Sequence, residues 1–306
     1  MSINRPGEVF VDNAGTMERV PVPALSCDHL LRLASLIAYE THQIVNEERP
    51  LLSAWLPTGQ RVQVVMPPAC EAGTVVMSFR GQAERQYTLE QYEAAGMFEH
   101  TEIVRDDALS AEDLQLQLQL LLQRRRLKDF LRLAVRSRRN IVVSGSTSSG
   151  KTTFLNALLR EIPDEERLLT IEDVRELRPT APNCAHLLAS KGGQGVAKVT
   201  IQDLLEACLR LRPDRIILGE LRGAEAGSFL HAVNSGHPGS LTSVHADSPA
   251  LAFERLTLMV MQGLESLSRE QIISYLRGVI DIVVQVRRHQ GRRLVSAIYY
   301  KHGTTT

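Results

Sequence analysis

The segment Gly145-Ser-Thr-Ser-Ser-Gly-Lys151-Thr152 decides the fold prediction for this chain. It follows the apolar, β-branched run Ile141-Val-Val143 and precedes Thr153-Phe-Leu-Asn-Ala-Leu-Leu159, which has helical character. A G-x-x-x-x-G-K-[ST] segment between a strand and a helix turns the backbone tightly. Its N–H groups and the positive end of the helix dipole then point at phosphate oxygens. The sequence therefore predicts a nucleotide-binding loop.

The roles of the loop residues follow from this geometry. We expect Lys151 to reach the β- and γ-phosphates and the Thr152 hydroxyl to ligate Mg²⁺, which makes a nucleotide and Mg²⁺ the expected ligands. The residues predicted to bind nucleotide are Gly145, Ser146, Thr147, Ser148, Ser149, Gly150, Lys151, Thr152 and Thr153.

Short apolar runs alternate with helical segments on the C-terminal side of the loop. This alternation predicts a parallel sheet covered by helices. The predicted strands are Arg167–Ile171 and Arg215–Leu218, the predicted helices are Ile201–Leu211 and Ala224–Val233, and Asp281–Arg287 with Arg292–Tyr300 are predicted to form a β-hairpin.

Three acidic residues follow predicted strands of this sheet, namely Glu172, Asp173 and Glu220. The carboxyl ends of parallel strands gather at the edge that carries the phosphate loop, where carboxylates can activate water or complete the Mg²⁺ shell. Glu220 stands where such strands usually end in Asp, and its longer side chain suits activation of water rather than direct metal ligation. For Glu172 and Asp173, an N-cap with first-turn acids is the alternative.

Two histidines, His237 and His245, bracket a glycine-containing turn and the run Leu241-Thr-Ser-Val244. An imidazole can donate to a γ-phosphate oxygen and report its loss. The alternative is that both are ordinary core or surface residues.

The composition of the chain sets further limits. At 306 residues and 34.0 kDa, two domains are expected. Lys+Arg and Asp+Glu both number 35, which argues against a chain built mainly to coat nucleic acid or anionic lipid. There is no run of roughly 18 apolar residues, and the four cysteines are scattered, so we expect a soluble protein of a reducing compartment.

The predicted organisation is an α+β domain over residues 1–100, a linker over 101–130 and the nucleotide-binding domain over 131–306. Leu114–Leu120 alternates like a strand but leads into a Leu/Gln/Arg segment, which favours a helix. The arginines at 124–126, 136, 138 and 139 form either a solvated helix face or a patch that contacts phosphate or nucleic acid.

The order of these motifs resembles the secretion ATPase superfamily. The motifs are the phosphate loop, Ile171-Glu-Asp173, Arg210–Arg222 and the Gly236–His245 histidine box. Within the superfamily the chain looks most like the traffic ATPases of type IV secretion systems, also called P-type DNA transfer ATPases. Residues 4–10, 59–63, 67–71 and 78–80 are similar to the N-terminal domain of that subfamily. The resemblance implies a P-loop, RecA-like C-terminal domain with a smaller α+β N-terminal domain.

The resemblance also implies roles for single residues. Glu220 is expected to activate water, Glu172 and Asp173 to lie near the γ-phosphate, with Asp173 in the outer shell of Mg²⁺, and His245 to sense the γ-phosphate. Arg61 and Arg80 fall where the family's N-terminal domain sends arginines towards the nucleotide, although surface charge at a sheet edge is the alternative. A guanidinium there would neutralise charge in the transition state.

The resemblance implies a cytoplasmic homohexamer, peripheral at the inner membrane. It would hydrolyse ATP, with Mg²⁺ as the second cofactor, to power substrate translocation or pilus assembly with other cytoplasmic and inner-membrane components of a type IV secretion system. A pilus or type II secretion motor and a nucleic-acid-binding P-loop translocase are the alternatives, so binding of nucleic acid stays open. A GTPase is disfavoured because the chain has no Asn-Lys pair, and a small-molecule kinase because no segment suggests an acceptor site or a lid.

Overall fold

A computed structural model describes residues 1–13, 16–81, 112–190, 197–263, 267–290 and 292–303 of the chain. The strands of these residues form two sheets, one of six strands and one of seven. The α/β fold predicted from the sequence is therefore confirmed, and the phosphate loop belongs to the seven-stranded sheet.

The six-stranded sheet is antiparallel, in the order β3-β2-β1-β6-β5-β4. Ser26 caps the adjoining helix by accepting a hydrogen bond from the backbone N–H of His29 at 3.1 Å, and the apolar residues of that helix are buried. The elements are β1 (Ser2–Ile3), β2 (Glu8–Asn13), β3 (Thr16–Pro21), α1 (Cys27–Glu40), β4 (Leu51–Trp55), β5 (Arg61–Val65) and β6 (Val76–Arg80).

The seven-stranded sheet has the order β13-β12-β7-β11-β10-β8-β9 and is parallel apart from its last strand, β13. The predicted C-terminal hairpin is confirmed as β12 and β13. The elements are β7 (Ile141–Ser144), α4 (Lys151–Leu159), β8 (Leu168–Glu172), β9 (Cys184–Leu188), α5 (Ile201–Leu211), β10 (Arg215–Leu221), α6 (Glu225–Asn234), β11 (Leu241–Val244), β12 (Ile282–His289) and β13 (Arg292–Tyr300).

Four more helices flank this sheet: α2 (Glu112–Gln123), α3 (Leu127–Arg136), α7 (Pro249–Met261) and α8 (Arg269–Val279). The segment Leu114–Leu120 is thus helical. Leu118 and Phe130 are fully buried in one core cluster with the sheet strands, so α2 and α3 pack on the nucleotide-binding unit.

The basic segment between residues 124 and 139 is partly neutralised by carboxylates. Arg126 pairs with Asp129, Arg138 lies 3.4 Å from Glu166, and Arg139 lies 3.7 Å from Asp281. Such pairing fits a solvated face better than a continuous cationic patch.

The two sheets meet at a buried arginine, Arg167, which is 1% exposed and precedes β8. Its Nη1 donates to Oδ1 of Asn4 and to Oδ1 of Asn183, both at 2.7 Å, while its Nε donates to the carbonyl of Leu211 at 3.0 Å. The backbone N–H of Leu188 also donates to the carbonyl of Ala69 at 2.9 Å. Asn4, the first residue of the segment 4–10 that resembles the family's N-terminal domain, therefore ties the first sheet to the amino-terminal edge of the second.

Candidate active site

The phosphate loop connects the fully buried strand β7 to helix α4, and it is shaped by two glycines. Gly150 has φ +99°, and a Cβ on it would lie 2.7 Å from Cδ of Arg293. A Cβ on Gly145 would lie 2.5 Å from the carbonyl oxygen of Val286. Neither position has room for a side chain, which explains why the motif needs glycine at both ends.

Lys151 begins α4 and is nearly buried beneath the loop. Its Nζ donates to the carbonyl oxygens of Gly145 at 3.1 Å and Ser146 at 3.2 Å. It also lies 3.3 Å from Nδ1 of His245. Desolvation lowers the pKa of Lys151, and the charge of Glu220 opposes that effect. The ammonium group is therefore held at the position where phosphate oxygens would enter.

Glu220 and His245 meet at the carboxyl edge of the sheet. Glu220 lies near the end of β10 and His245 directly follows β11, the neighbouring parallel strand. Nε2 of His245 lies 2.6 Å from Oε1 of Glu220. Lys151, His245 and Glu220 thus form a continuous chain of polar contacts at the mouth of the loop.

Arg222 joins the two acidic segments, a role that the sequence reasoning did not assign. Its Nε donates to Oε2 of Glu220 at 2.8 Å, and its Nη1 donates to Oδ2 of Asp173 at 2.5 Å. The hydrogen bond with Glu220 is the main reason that the pKa of Arg222 is raised. Two features of the sequence could have indicated Arg222: it is the last residue of the Arg210–Arg222 motif, and it lies two residues after Glu220.

Glu172 has a different environment from Glu220. Its Oε1 accepts hydrogen bonds from the backbone N–H groups of Glu176 at 2.8 Å and Leu177 at 2.7 Å. Its Oε2 is buried without a partner among the described residues, and burial raises the pKa of the carboxyl. These hydrogen bonds let Glu172 order the irregular segment that follows β8. Its carboxylate accepts backbone N–H groups as an N-cap does, although no helix begins there.

A cavity of about 350 Å³ opens between these groups. Loop residues and strand ends line it together, among them Thr147, Lys151, Thr152, Glu172, Glu220 and His245. Its size suits a polyphosphate chain with its ion.

The donor set fits Mg²⁺ rather than an all-protein metal cage. Among the described residues, no group of three or more His, Cys, Asp or Glu side chains could hold a metal. Mg²⁺ commonly keeps several waters and is held by one or two protein oxygens plus substrate phosphates. Thr152 at the start of α4 and the unpartnered Oε2 of Glu172 line the same cavity and offer oxygens of that kind.

Arg61 and Arg80 lie away from the cavity at the phosphate loop. They oppose each other across β5 and β6, and Arg61 stacks over the Trp55 ring at 4.9 Å. Both line a second cavity of about 730 Å³, together with Arg212 and His237. Arg212 and His237 precede β10 and β11, so this cavity lies at the amino-terminal edge of the parallel sheet, opposite the phosphate loop. Within one chain, the structure brings neither arginine, nor His237, to the loop.

Comparison with known proteins adds an independent observation. The sequence model of the family described as "Type II/IV secretion system protein" matches residues 4–300. The chain belongs to this family. It is 44% identical to the type IV secretion system protein VirB11 of Brucella suis, over 99% of this chain and 85% of that protein. It is 43% identical to the type IV secretion system protein PtlH of Bordetella pertussis, over 98% of this chain and 89% of that protein.

A solved structure supports the same assignment. The crystal structure of the Brucella suis VirB11 ATPase, in complex with sulphate, matches with a TM-score of 0.89 and 43% identity. The match covers 98% of this chain and 91% of that one. The family resemblance read from the motifs is confirmed: the chain belongs to the family of type IV secretion ATPases that includes VirB11. None of the described helices has the length and apolar character needed to span a bilayer.

Proposed function

We propose that this secretion ATPase hydrolyses Mg²⁺-ATP as a homohexameric ring to power substrate translocation or pilus assembly in a type IV secretion system. The contact chain Lys151–His245–Glu220 at the mouth of the phosphate loop is the observation that supports it. It combines a cation for phosphate, a group that can donate to the γ-phosphate and a carboxylate that can accept a proton.

In the proposed reaction, the loop N–H groups and Lys151 hold the phosphates, and Thr152 would hold a Mg²⁺ ion, which would offset phosphate charge. Glu220 takes the proton of the attacking water, and His245 donates to the γ-phosphate oxygen until that group leaves. Arg222 keeps Glu220 in place and holds Asp173, which we assign to the outer shell of the ion. Glu172 orders the segment after β8, which lies beside these residues.

Arg61 and Arg80 are proposed to act on the nucleotide of a neighbouring subunit. The family resemblance directs them to a nucleotide, whereas in this chain they lie at the edge of the sheet opposite the phosphate loop. In a head-to-tail ring, the edge of one subunit that carries the arginines would face the phosphate-loop edge of the next subunit. The arginines could then contact a nucleotide although they lie far from the loop of their own chain. Release of phosphate would then free the neighbour's domain to rotate.

The proposed domains are residues 1–100 and 131–306, joined by residues 101–130, of which helix α2 packs against the second domain. The proposed partners are the cytoplasmic and inner-membrane components of the secretion system, which would place the ring in the cytoplasm and peripherally at the inner membrane. The pairing of arginines near residues 126–139 favours a protein-handling motor over a nucleic-acid translocase.

Mg²⁺-dependent ATP hydrolysis per subunit, measured against protein concentration, tests the proposal. We expect the rate to rise and saturate as the ring forms, in step with the oligomer measured by mass photometry. A rate that stays constant from monomer upwards would contradict an active site that needs its neighbour.

A further inference from the structure

The C-terminal hairpin carries a group of cations beside the phosphate loop. Strand β12 lies parallel to β7 in the register Gln285 opposite Ser144, and it continues four residues further to His289. The hairpin therefore rises alongside the loop where β7 has ended. It touches the loop at both glycines, through the Val286 carbonyl at Gly145 and the Arg293 side chain at Gly150.

The hairpin tip is strongly cationic and has no carboxylate of its own, because residues 282–300 contain no Asp or Glu. Its cations are exposed: Arg287, Arg288, His289, Arg292 and Arg293. Among the described residues, none of the four arginines has an ion pair with an acid within 4.0 Å. This contrasts with the segment near residues 126–139, whose arginines are partly paired.

The register places two of these arginines directly opposite each other. Arg288 faces Arg293 across the strand pair, while Arg292 faces His289 on the other side of the ribbon. Like charges in directly opposed positions destabilise an antiparallel pair. An anion between the two guanidinium groups would remove that cost, and Arg293 already lies against the loop that holds phosphate.

The order of strands indicates which part of the nucleotide lies there. Lys151, His245 and Glu220 mark the γ-phosphate side. Glu220 lies near the end of β10 and His245 directly follows β11, and both strands lie on one side of β7. Strands β12 and β13 lie on the other side of β7. A nucleotide with its γ-phosphate towards Glu220 therefore extends its α-phosphate and nucleoside towards the hairpin.

We infer that Arg293, with Arg288 opposite it, binds the nucleoside end of the nucleotide, through the α-phosphate or the face of the base. A guanidinium suits either contact because it is planar, permanently charged and able to bond phosphate in a bidentate manner or to stack. The inference rests on the proposed ATPase function and adds residues that the phosphate-loop motif does not contain.

The test compares two ligands in the presence of Mg²⁺. ADP carries the nucleoside and α-phosphate, whereas pyrophosphate occupies only the inner phosphate positions. For Arg293→Ala we expect the Kd of ADP to rise about tenfold while the Kd of pyrophosphate stays within about twofold. In the same variant, KM for ATP should rise without loss of kcat. Arg293→Lys should recover part of the ADP affinity. Arg288→Ala should lose affinity for ADP but not for pyrophosphate.

Arg292→Ala is the matched control, since it removes an equal charge from the other side of the same ribbon. Unchanged ADP affinity in Arg293→Ala would overturn the inference. An equal loss for ADP and pyrophosphate would overturn it too, because Arg293 would then only shape the loop. An equal loss of ADP affinity in Arg292→Ala would overturn it as well, because the effect would then come from the overall charge of the hairpin and not from the position of Arg293. A wild-type chain that binds ADP without hydrolysing ATP would contradict the proposed function and leave this comparison intact.

Discussion

Nε2 of His245 lies 2.6 Å from Oε1 of Glu220, across the ends of two adjacent parallel strands. The same imidazole lies 3.3 Å, by its other nitrogen, from Nζ of Lys151. His245 therefore connects the group that would activate water to the group that would hold phosphate. Entry of a γ-phosphate must change both contacts, so nucleotide occupancy and the position of Glu220 are coupled.

The first prediction concerns the catalytic base. Glu220→Gln should bind ATP with near-normal affinity but lose roughly 10²–10⁴-fold in kcat, because the amide cannot accept the proton of the water. Single-turnover hydrolysis and ATP titration measure the two quantities separately. Glu206→Gln, at an exposed position of α5, is the control. Near-normal turnover in Glu220→Gln would transfer the base assignment to Glu172.

The second prediction separates positioning from catalysis at Arg222. Its side chain is 53% exposed, so Arg222→Gln should fold normally while releasing Glu220 and Asp173 together. We expect kcat to fall roughly 10–100-fold with KM changed by less than about twofold. Arg222→Lys should restore part of the rate, since an ammonium group can hold one carboxylate but not both. Equal losses in Arg222→Gln and in the exposed control Arg160→Gln would contradict a positioning role.

The local parts of this site could be predicted from the sequence. The glycines and Lys151 predict a phosphate loop between a strand and a helix, because these signals act over a few residues. The adjacency of Glu172, Glu220 and the loop followed from one rule, that parallel strands end at a common edge. Helices α7 and α8 were not predicted, although Ser248 and Ser268 cap them.

The positions of Arg61, Arg80 and His237 depended on contacts that no local pattern carries. The contacts that dock the two sheets include those of Arg167 with Asn4 and Asn183, which are up to 179 residues apart, and an apolar cluster with residues from both sheets. His237 and His245 lie close in sequence but at opposite ends of β11, so one short strand separates the two histidines of the predicted box.

The third prediction tests whether the N-terminal arginines act between subunits. Lys151→Gln and the double variant Arg61→Ala, Arg80→Ala should each be inactive alone. Mixed rings should recover activity, up to about a quarter of the wild-type rate, because some sites then combine an intact loop with a neighbour's intact arginines. No recovery on mixing would show that the arginines act in their own subunit. Arg32→Ala, on the exposed side of α1, should stay active throughout.

The fourth prediction concerns stability at the amino-terminal edge of the parallel sheet. Arg215 is fully buried, and its Nε and Nη2 donate to the Glu166 carboxylate at 2.5 and 2.8 Å. Glu166→Ala should lower the free energy of unfolding by about 3–5 kcal/mol, because it leaves a buried guanidinium without its counter-charge. Glu254→Ala, which breaks an exposed pair with Arg269, should cost at most about 1 kcal/mol. Denaturant unfolding distinguishes them, and equal losses would contradict the argument.

The last prediction concerns pH and His186 on β9. Burial, and then the charges of Arg175 and Arg5, lower the pKa of His186 from 6.5 to about 3, while its Nδ1 lies 2.7 Å from the Thr170 hydroxyl. In the unfolded chain His186 is therefore protonated as the pH falls through 6.5, whereas in the folded chain it is protonated only near pH 3. Stability from the neutral imidazole is complete above pH 6.5 and is lost progressively as the pH falls below it.

Between pH 7.5 and 5.5 this group should therefore lower the free energy of unfolding by about 1 kcal/mol. His186→Gln does not titrate, so the pH dependence of its unfolding should be shallower than that of the wild type by this amount, whatever its absolute stability. His231→Gln, on the exposed surface of α6, is the matched control and should keep the wild-type slope. Parallel curves for His186→Gln and the wild type would show that the folded chain protonates His186 over the same pH range as the unfolded chain. The burial of its ring beside Thr170 would then be too slight to exclude the charge.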